Sequence, residues 1–406
     1  MVMEVASYFL RRGTPCLVTL LDCSKAFDMC KFNLLFEKLW KKNLPPIVIF
    51  VYEEQTAWVR WGSARSVQFS IKNGTRQGSV LSPAFFGVYV DDLLTELRRS
   101  GVGCYIGGRF FGAAGYADDI VLLAPCRSAM SQMIRICEEF GKSNNLKFST
   151  DPNPAKSKTK CLYMCGPRVR QPAFPAPLKL YGRDLPWVAH ATHLGHELHQ
   201  DCTMDMEIKM KRANFIQKST DIRDMFSFAL PSQVLGAVQT YSCHFYGSML
   251  WDLYSGMANQ VYRSWNTTVK LVWDLPRSTH NYFVEHLLAK DLRSARQQVL
   301  SQYVGFLARL VKSVSSEVRI MARIAAQDIR STTGRNIKNL GEEFSQNPWT
   351  LTPSNINRMY QQYGLPEQDN WRISFLRDLQ YQRYEMKACD EDTKVITQLI
   401  ESLCSS

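Results

Sequence analysis

Gly115-Tyr116-Ala117-Asp118-Asp119-Ile120-Val121-Leu122-Leu123 sets two adjacent carboxylates between a small-residue run, Phe111-Gly112-Ala113-Ala114, and an apolar run from Ile120 to Ala124. Apolar runs this short, bounded by Gly115 and Pro125, read as buried strands rather than helices. The spacing therefore predicts a strand–turn–strand hairpin that pushes Asp118 and Asp119 out at a tight bend. Two ionised side chains at the edge of a core are unfavourable without a counter-charge. A divalent cation suits them, because hard oxygen donors bind Mg²⁺. The same tetrapeptide also reads as an ordinary Asp-Asp turn, so its neighbours have to decide.

Working outward, Cys16-Leu17-Val18-Thr19-Leu20-Leu21 is a strand by composition and runs straight into Asp22. An acidic residue at the carboxyl end of a buried strand is a frequent functional position. It is also a frequent helix cap, a role Asp28 fits better for the helix expected at Phe32–Trp40. Residues 57–61 and 66–71 alternate as a hairpin through Gly62. Next comes Asn73-Gly74-Thr75-Arg76-Gln77-Gly78, where the glycines allow close backbone approach and Arg76 and Gln77 offer planar donors. A helix follows over Pro83–Arg99 and carries a second Tyr-x-Asp-Asp, Tyr89-Val90-Asp91-Asp92. There the aspartates fall on the polar face, so they read as solvated helix charges. Ser128–Gly141 is a further amphipathic helix, and Leu146–Ser149 and Cys161–Met164 read as strands.

The 406 residues carry a formal charge of +12 with 45% hydrophobic composition. Such a balance points to a polyanionic partner, nucleic acid first and an anionic membrane surface second. Apolar runs are too short to span a bilayer, and no secretory signal opens the chain. Twelve scattered cysteines without a CxxC pair imply reduced thiols and an intracellular protein, nuclear or cytoplasmic, not a secreted one. His190, His193, His196 and His199 raise zinc, but neither a helix nor a strand converges side chains at that spacing on one ion. Beyond residue 203 the pattern is helical, with Thr203 as a candidate cap and helices at 232–250, 258–273, 282–313, 316–330, 354–363 and 371–388. Aromatics and bases interleave from Trp251 to Trp273, as on a nucleic-acid groove or, more simply, as a core.

Carboxylates on two strands could share two metal ions, about 3.5–4 Å apart, holding the attacking and leaving oxygens of a phosphoryl transfer. At these residues the sequence resembles a known family. Leu20 to Asp28 is similar to motif A of reverse transcriptases from non-LTR (LINE-type) retrotransposons, Gly74 to Pro83 to motif B, and Tyr116-Ala117-Asp118-Asp119 to motif C. Leu146 to Tyr163 resembles motif D, with Lys158-Thr159 as its Lys-Thr pair, and His193-Leu194-Gly195-His196 resembles the motif E hairpin, the primer grip.

The resemblance implies an α+β right-hand polymerase: an antiparallel palm sheet with packed helices and a fingers remnant over 1–200, a helical thumb-like domain over 201–333, and a helical extension over 334–406. It implies RNA-directed DNA synthesis on an RNA template and DNA primer with dNTPs. Asp22, Asp118 and Asp119 would hold two Mg²⁺ ions, with Mn²⁺ as a substitute, and Lys158 would serve as general acid, with Lys156 and Lys160 as competitors. Phe27 would lie under the sugar and exclude a 2′-hydroxyl, while Arg76, Gln77 and Gly78 would contact nucleotide and template. Only the first fifteen residues precede the motif A strand, where the family carries most of its fingers. The chain therefore resembles an N-terminally truncated element, whose alternative reading is an inactive nucleic-acid-binding remnant. A maturase or telomerase-like palm enzyme fits Ser24 to Asp28 less well.

Overall fold

Both faces of Cys16–Asp22 are buried up to its last residue, which is why this segment can be apolar almost throughout, and both its edges are taken by neighbouring strands. In the computed structural model, residues 1–362 are described except 77, 152, 154–155, 167–175, 282–283, 285–287 and 289–291. They group into two units, Met1–Thr203 and Met204 onward.

The first unit is built on a four-stranded antiparallel sheet. Its strands are β1 (Cys16–Asp22), β2 (Ala113–Tyr116), β3 (Asp119–Ala124) and β4 (Lys160–Met164), in spatial order β4-β1-β3-β2. Leu17, Val18, Leu20 and Leu21 of β1 are all buried, worth roughly 1.5–3 kcal/mol per side chain. The helices are α1 (Val2–Arg11), α2 (Ala26–Met29), α3 (Phe32–Lys41), α4 (Pro46–Glu53), α5 (Ser82–Arg99) and α6 (Arg127–Ser143). Phe86, Tyr89, Val90, Leu93 and Leu97 of α5 and Met130, Met133, Ile134 and Cys137 of α6 share one core with Leu17, Leu21 and Leu122. This is the expected α+β arrangement of sheet and packed helices. A hairpin of β5 (His190–His193) and β6 (His196–His199) completes the unit, turning at Leu194 (φ +50°) and Gly195 (φ +78°).

Two expectations need correction, and a third holds with a break. Leu146–Ser149 is not a strand of the sheet. Because β4 already occupies that edge of β1, this segment attaches beyond the strand's end, through a single bridge of Phe148 to Cys23 and the Ser149 N–H donating to the Asp22 carbonyl at 2.7 Å. Residues 57–71 do return as a hairpin through Gly62, but its ladder is interrupted. They break into Thr56–Ala57 paired with Phe69–Ser70, and Arg60–Trp61 paired with Ala64–Arg65. Asp28 does not cap α3; it lies inside α2, and α3 starts from Lys31 without a side-chain cap.

Among its described residues the second unit contains helices and no strand. They are α7 (Asp205–Met225), α8 (Pro231–Ser242), α9 (Gly256–Val272), α10 (Ala295–Val311), α11 (Ser316–Gln327), α12 (Thr332–Phe344) and α13 (Pro353–Gln362). The aromatics from Trp251 to Trp273 resolve as core: Trp251, Trp265 and Trp273 are buried, and Phe215 and Phe245 stack among the first two. Serine N-caps start four of these helices, at Ser255, Ser294, Ser315 and Ser331. Thr203 does not cap α7, because its hydroxyl donates to Asp201 at 2.9 Å and the helix begins after Met204. The α12 segment is amphipathic, burying Leu340 and Phe344, and its Asn336 donates to the Trp251 carbonyl at 2.8 Å and accepts from the Leu253 N–H at 3.0 Å. The expected boundary at 333/334 therefore falls inside one packed unit. The helix expected at 371–388 lies outside the described residues.

Candidate active site

Antiparallel register brings the key carboxylates to one end of the sheet. Because β1 pairs with β3 from Leu17↔Ala124 onward, the last pair of that ladder is Asp22↔Asp119. The β2–β3 hairpin closes at Tyr116↔Asp119, leaving Ala117-Asp118 as a two-residue turn. Ala117 holds φ +52° there, a left-handed backbone that costs an alanine energy and that the flanking ladder enforces. Asp118 thus sits on the turn beside the Asp22–Asp119 pair. Burial pushes the Asp22 carboxyl above its usual range; Lys158 pulls it back, and the charges of Asp118 and Asp119 push it up further. The charges of Asp118 and Asp119 therefore reach Asp22.

Lys158 is placed from behind. The Asp22 N–H donates to Thr159 Oγ1 at 3.3 Å, and the buried Ser157 hydroxyl donates to the Thr159 carbonyl at 2.8 Å. This anchors the Lys-Thr pair to the end of β1, and Lys158 Nζ stands 3.9 Å from Asp22 Oδ2. A cavity of about 440 Å³ opens here, lined by Asp22, Asp119, Lys156, Lys158, Thr192 and His193. His193 was not singled out as a site residue by the sequence. Its imidazole is pulled below the usual range by burial, with Asp119 acting in the opposite sense and His196 adding to the fall. The signal was available in its position immediately before the Leu194-Gly195 turn of the hairpin. The four histidines pair across that hairpin, His190↔His199 and His193↔His196, with His190 and His199 also facing Glu197 and Asp201.

The turn after Asn73 docks on α2. The Gly74 N–H donates to the Cys30 carbonyl at 2.8 Å and the Thr75 N–H to the Phe27 carbonyl at 2.6 Å. Gly74 has φ +89°, and a Cβ there would meet Asp28 Cα and Phe27 O, both at 3.1 Å. Glycine is required at that approach. Phe27 is half-buried with its ring 5.1 Å from Phe86. Arg76 is exposed, a Cβ on Gly78 (φ +83°) would meet nothing within 4 Å, and Gln77 lies outside the described residues. The second Tyr-x-Asp-Asp behaves as its helical setting predicts. Tyr89 is core, its hydroxyl donating to the Asn144 carbonyl at 2.6 Å. Asp91 and Asp92 are ion-paired on the surface with Lys42 and Lys38, each at 3.0 Å.

Among the described residues, no group of three or more His, Cys, Asp and Glu side chains is drawn together closely enough to hold an ion. The donors fit magnesium in kind. They are carboxylates, two are register partners, the third is next in sequence, and their charges converge on Asp22. No helix among the described residues is long and apolar enough to cross a membrane.

Residues 3–198 match the family described as reverse transcriptase (RNA-dependent DNA polymerase). The retrovirus-related Pol polyprotein from type-2 retrotransposable element R2DM of Drosophila melanogaster is 31% identical over 140 residues, 34% of this chain and 13% of that protein. A Pol polyprotein from type-1 retrotransposable element R2 of Nasonia vitripennis is 30% identical over 153 residues, 37% of this chain and 14% of its own. The chain thus spans a small part of these relatives. A structure of telomerase from Candida albicans in complex with a TWJ fragment of telomeric RNA aligns over 89% of this chain and 52% of its own, at 14% identity and a TM-score of 0.34. That likeness is too weak to add to the assignment. On its sheet, its ordered motifs and the match over residues 3–198, the first unit of this chain is a reverse transcriptase domain, similar to those of the R2 retrotransposable elements.

Proposed function

We propose that residues 1–203 are the catalytic part of an RNA-directed DNA polymerase that adds dNTPs to a primer 3′-hydroxyl on an RNA template. The observation that carries this reading is the register that ends β1 and β3 on Asp22 and Asp119 and puts Asp118 on the adjoining turn. Asp22, Asp118 and Asp119 would hold two Mg²⁺ ions. Bound there, the ions would supply charge neutralisation and an acidified primer hydroxyl, which is what phosphoryl transfer needs most.

The protein's own residues do the positioning. Lys158, exposed and tethered through Thr159, carries a proton close to Asp22 that can pass to the departing pyrophosphate oxygen. Phe27, backed by Phe86, presents an aromatic surface at the sugar, and the Thr75 N–H fixes its backbone by bonding its carbonyl. Arg76, Gln77 and Gly78 then contact nucleotide and template, with Gly78 leaving the backbone uncovered. The alternative, a binding remnant without activity, is separated by one experiment: extension of oligo(dT) on poly(rA) by the chain and by its Asp118→Ala variant. Incorporation that falls at least about a hundredfold in the variant supports the proposal. Salt-sensitive RNA binding with no extension by either protein supports the remnant.

A further inference from the structure

Residues 55–72 carry Arg60, Arg65 and Lys72 and not one acid, with two of the chain's nine tryptophans. They form the two short exposed ladders described above. Trp61 is 86% and Val67 85% exposed, and Trp58 and Phe69 are also well exposed. Such a surface is unfavourable to leave in water. Its charge is equally unrelieved. Arg60 and Arg65 are direct cross-strand partners, so two guanidinium groups stand on the same face, where like charges are destabilising. Arg65 lies flat on Trp58, its guanidinium carbon 3.3 Å from the ring centroid, while the Arg60 Nε–H donates to the Gly62 carbonyl at 3.1 Å. An aromatic partner would satisfy the rings but not the cations, and an acidic partner would do the reverse. An unpaired polynucleotide satisfies both, because its bases stack on indole and guanidinium planes and its phosphates meet the charges.

We propose that this ladder is a platform for single-stranded RNA. Trp61 and the Trp58–Arg65 stack take successive bases, and Arg60, Arg65 and Lys72 take phosphates. Duplex RNA is excluded from stacking, since its base faces are already occupied. The platform is continuous with the candidate active site. The Ile71 N–H donates to the Gln55 carbonyl at 2.9 Å, Asn73 bridges to Lys31, and Gly74 and Thr75 bind α2 beside Phe27. An RNA strand lying on the ladder would therefore lead toward the turn that carries Arg76 and Gly78. The choice of RNA over DNA rests on the polymerase reading above; the stacking chemistry does not.

The test measures binding of the full chain to a fluorescein-labelled unstructured RNA, the same RNA as a blunt duplex, and a DNA strand of the same sequence. Trp61→Ala and Trp58→Ala are expected to weaken single-stranded RNA binding about tenfold each while leaving the duplex unaffected. Arg60→Ala is expected to lower the salt dependence by about one phosphate contact. Trp61→Phe, which keeps a stacking ring, is expected to bind like the parent chain. Unchanged single-strand binding in the alanine variants overturns the platform, as does an equal loss on duplex, or a loss in Trp61→Phe as large as in Trp61→Ala. A loss on DNA with RNA binding intact overturns RNA as the occupant. Primer extension is scored separately with Asp118→Ala, which is expected to bind single-stranded RNA normally. A chain that fails to extend but loses RNA binding in Trp61→Ala keeps the platform and sinks the polymerase.

Discussion

Asp22 bears an electrostatic conflict. A carboxyl raised by burial and by two like charges is destabilising once ionised. The folded state holds its proton more tightly than the unfolded chain, so the Asp22 contribution to stability is fully present below the ordinary carboxylate range and is lost as pH rises through the raised value. Asp22→Asn removes that conflict. The variant is expected to melt above the parent near neutral pH in metal-free buffer, with the gap closing as pH falls toward 4, as followed by thermal denaturation. Extension by the same variant is expected to be lost. An unchanged melting temperature across the range would mean that the three charges do not interact as described. Asp22 and the Asp118-Asp119 pair were legible in the sequence because strand and turn signals bracket them. His193 was not, since its proximity to Asp119 depends on where a separate hairpin packs.

Elements were legible wherever burial alone decided them. β1, β3, α5 and α6 have apolar periods matched to the faces they bury. The failures came where a competing partner decided. Leu146–Ser149 has strand composition, but the edge of β1 it would need is filled by β4. Thr203 can cap a helix in isolation, but Asp201 takes its hydroxyl. α12 is polar in composition, but it buries Leu340 and Phe344 and bonds Asn336 into the Trp251–Leu253 backbone. Two predictions belong at this scale. Gly74→Ala is expected to destabilise the first unit by about 1–3 kcal/mol, because it combines a left-handed backbone with a contact against α2. Gly78→Ala meets nothing and should cost nearer 1 kcal/mol. Chemical denaturation of the two variants checks the order, and equal losses would contradict the docking of this turn. The helical Asp-Asp pair makes the second: Asp91→Asn and Asp92→Asn are expected to shift stability by about 1 kcal/mol or less and to leave primer extension intact. Loss of extension in either would show that the tetrapeptide matters without its hairpin.

At the scale of the molecule, the family was readable because five motifs stand in order along one chain, each on a different element of the first unit. What spacing did not give was how they meet. Motif A ends a central strand, motif C turns beside it, motif B locks onto α2, and the Lys-Thr pair is pinned to Asp22 by one hydroxyl. Four segments distant in sequence thus converge through these bonds at the end of a sheet whose strands also share the apolar core. The central claim is that Asp118, with Asp22 and Asp119, is the chemical centre of a polymerase. Primer extension on poly(rA)/oligo(dT) with Mg²⁺, comparing the chain with Asp118→Ala at matched RNA binding, tests it most directly. The parent is expected to incorporate dNTPs and the variant to lose at least about a hundredfold; equal incorporation by both would rule out Asp118 as part of that centre.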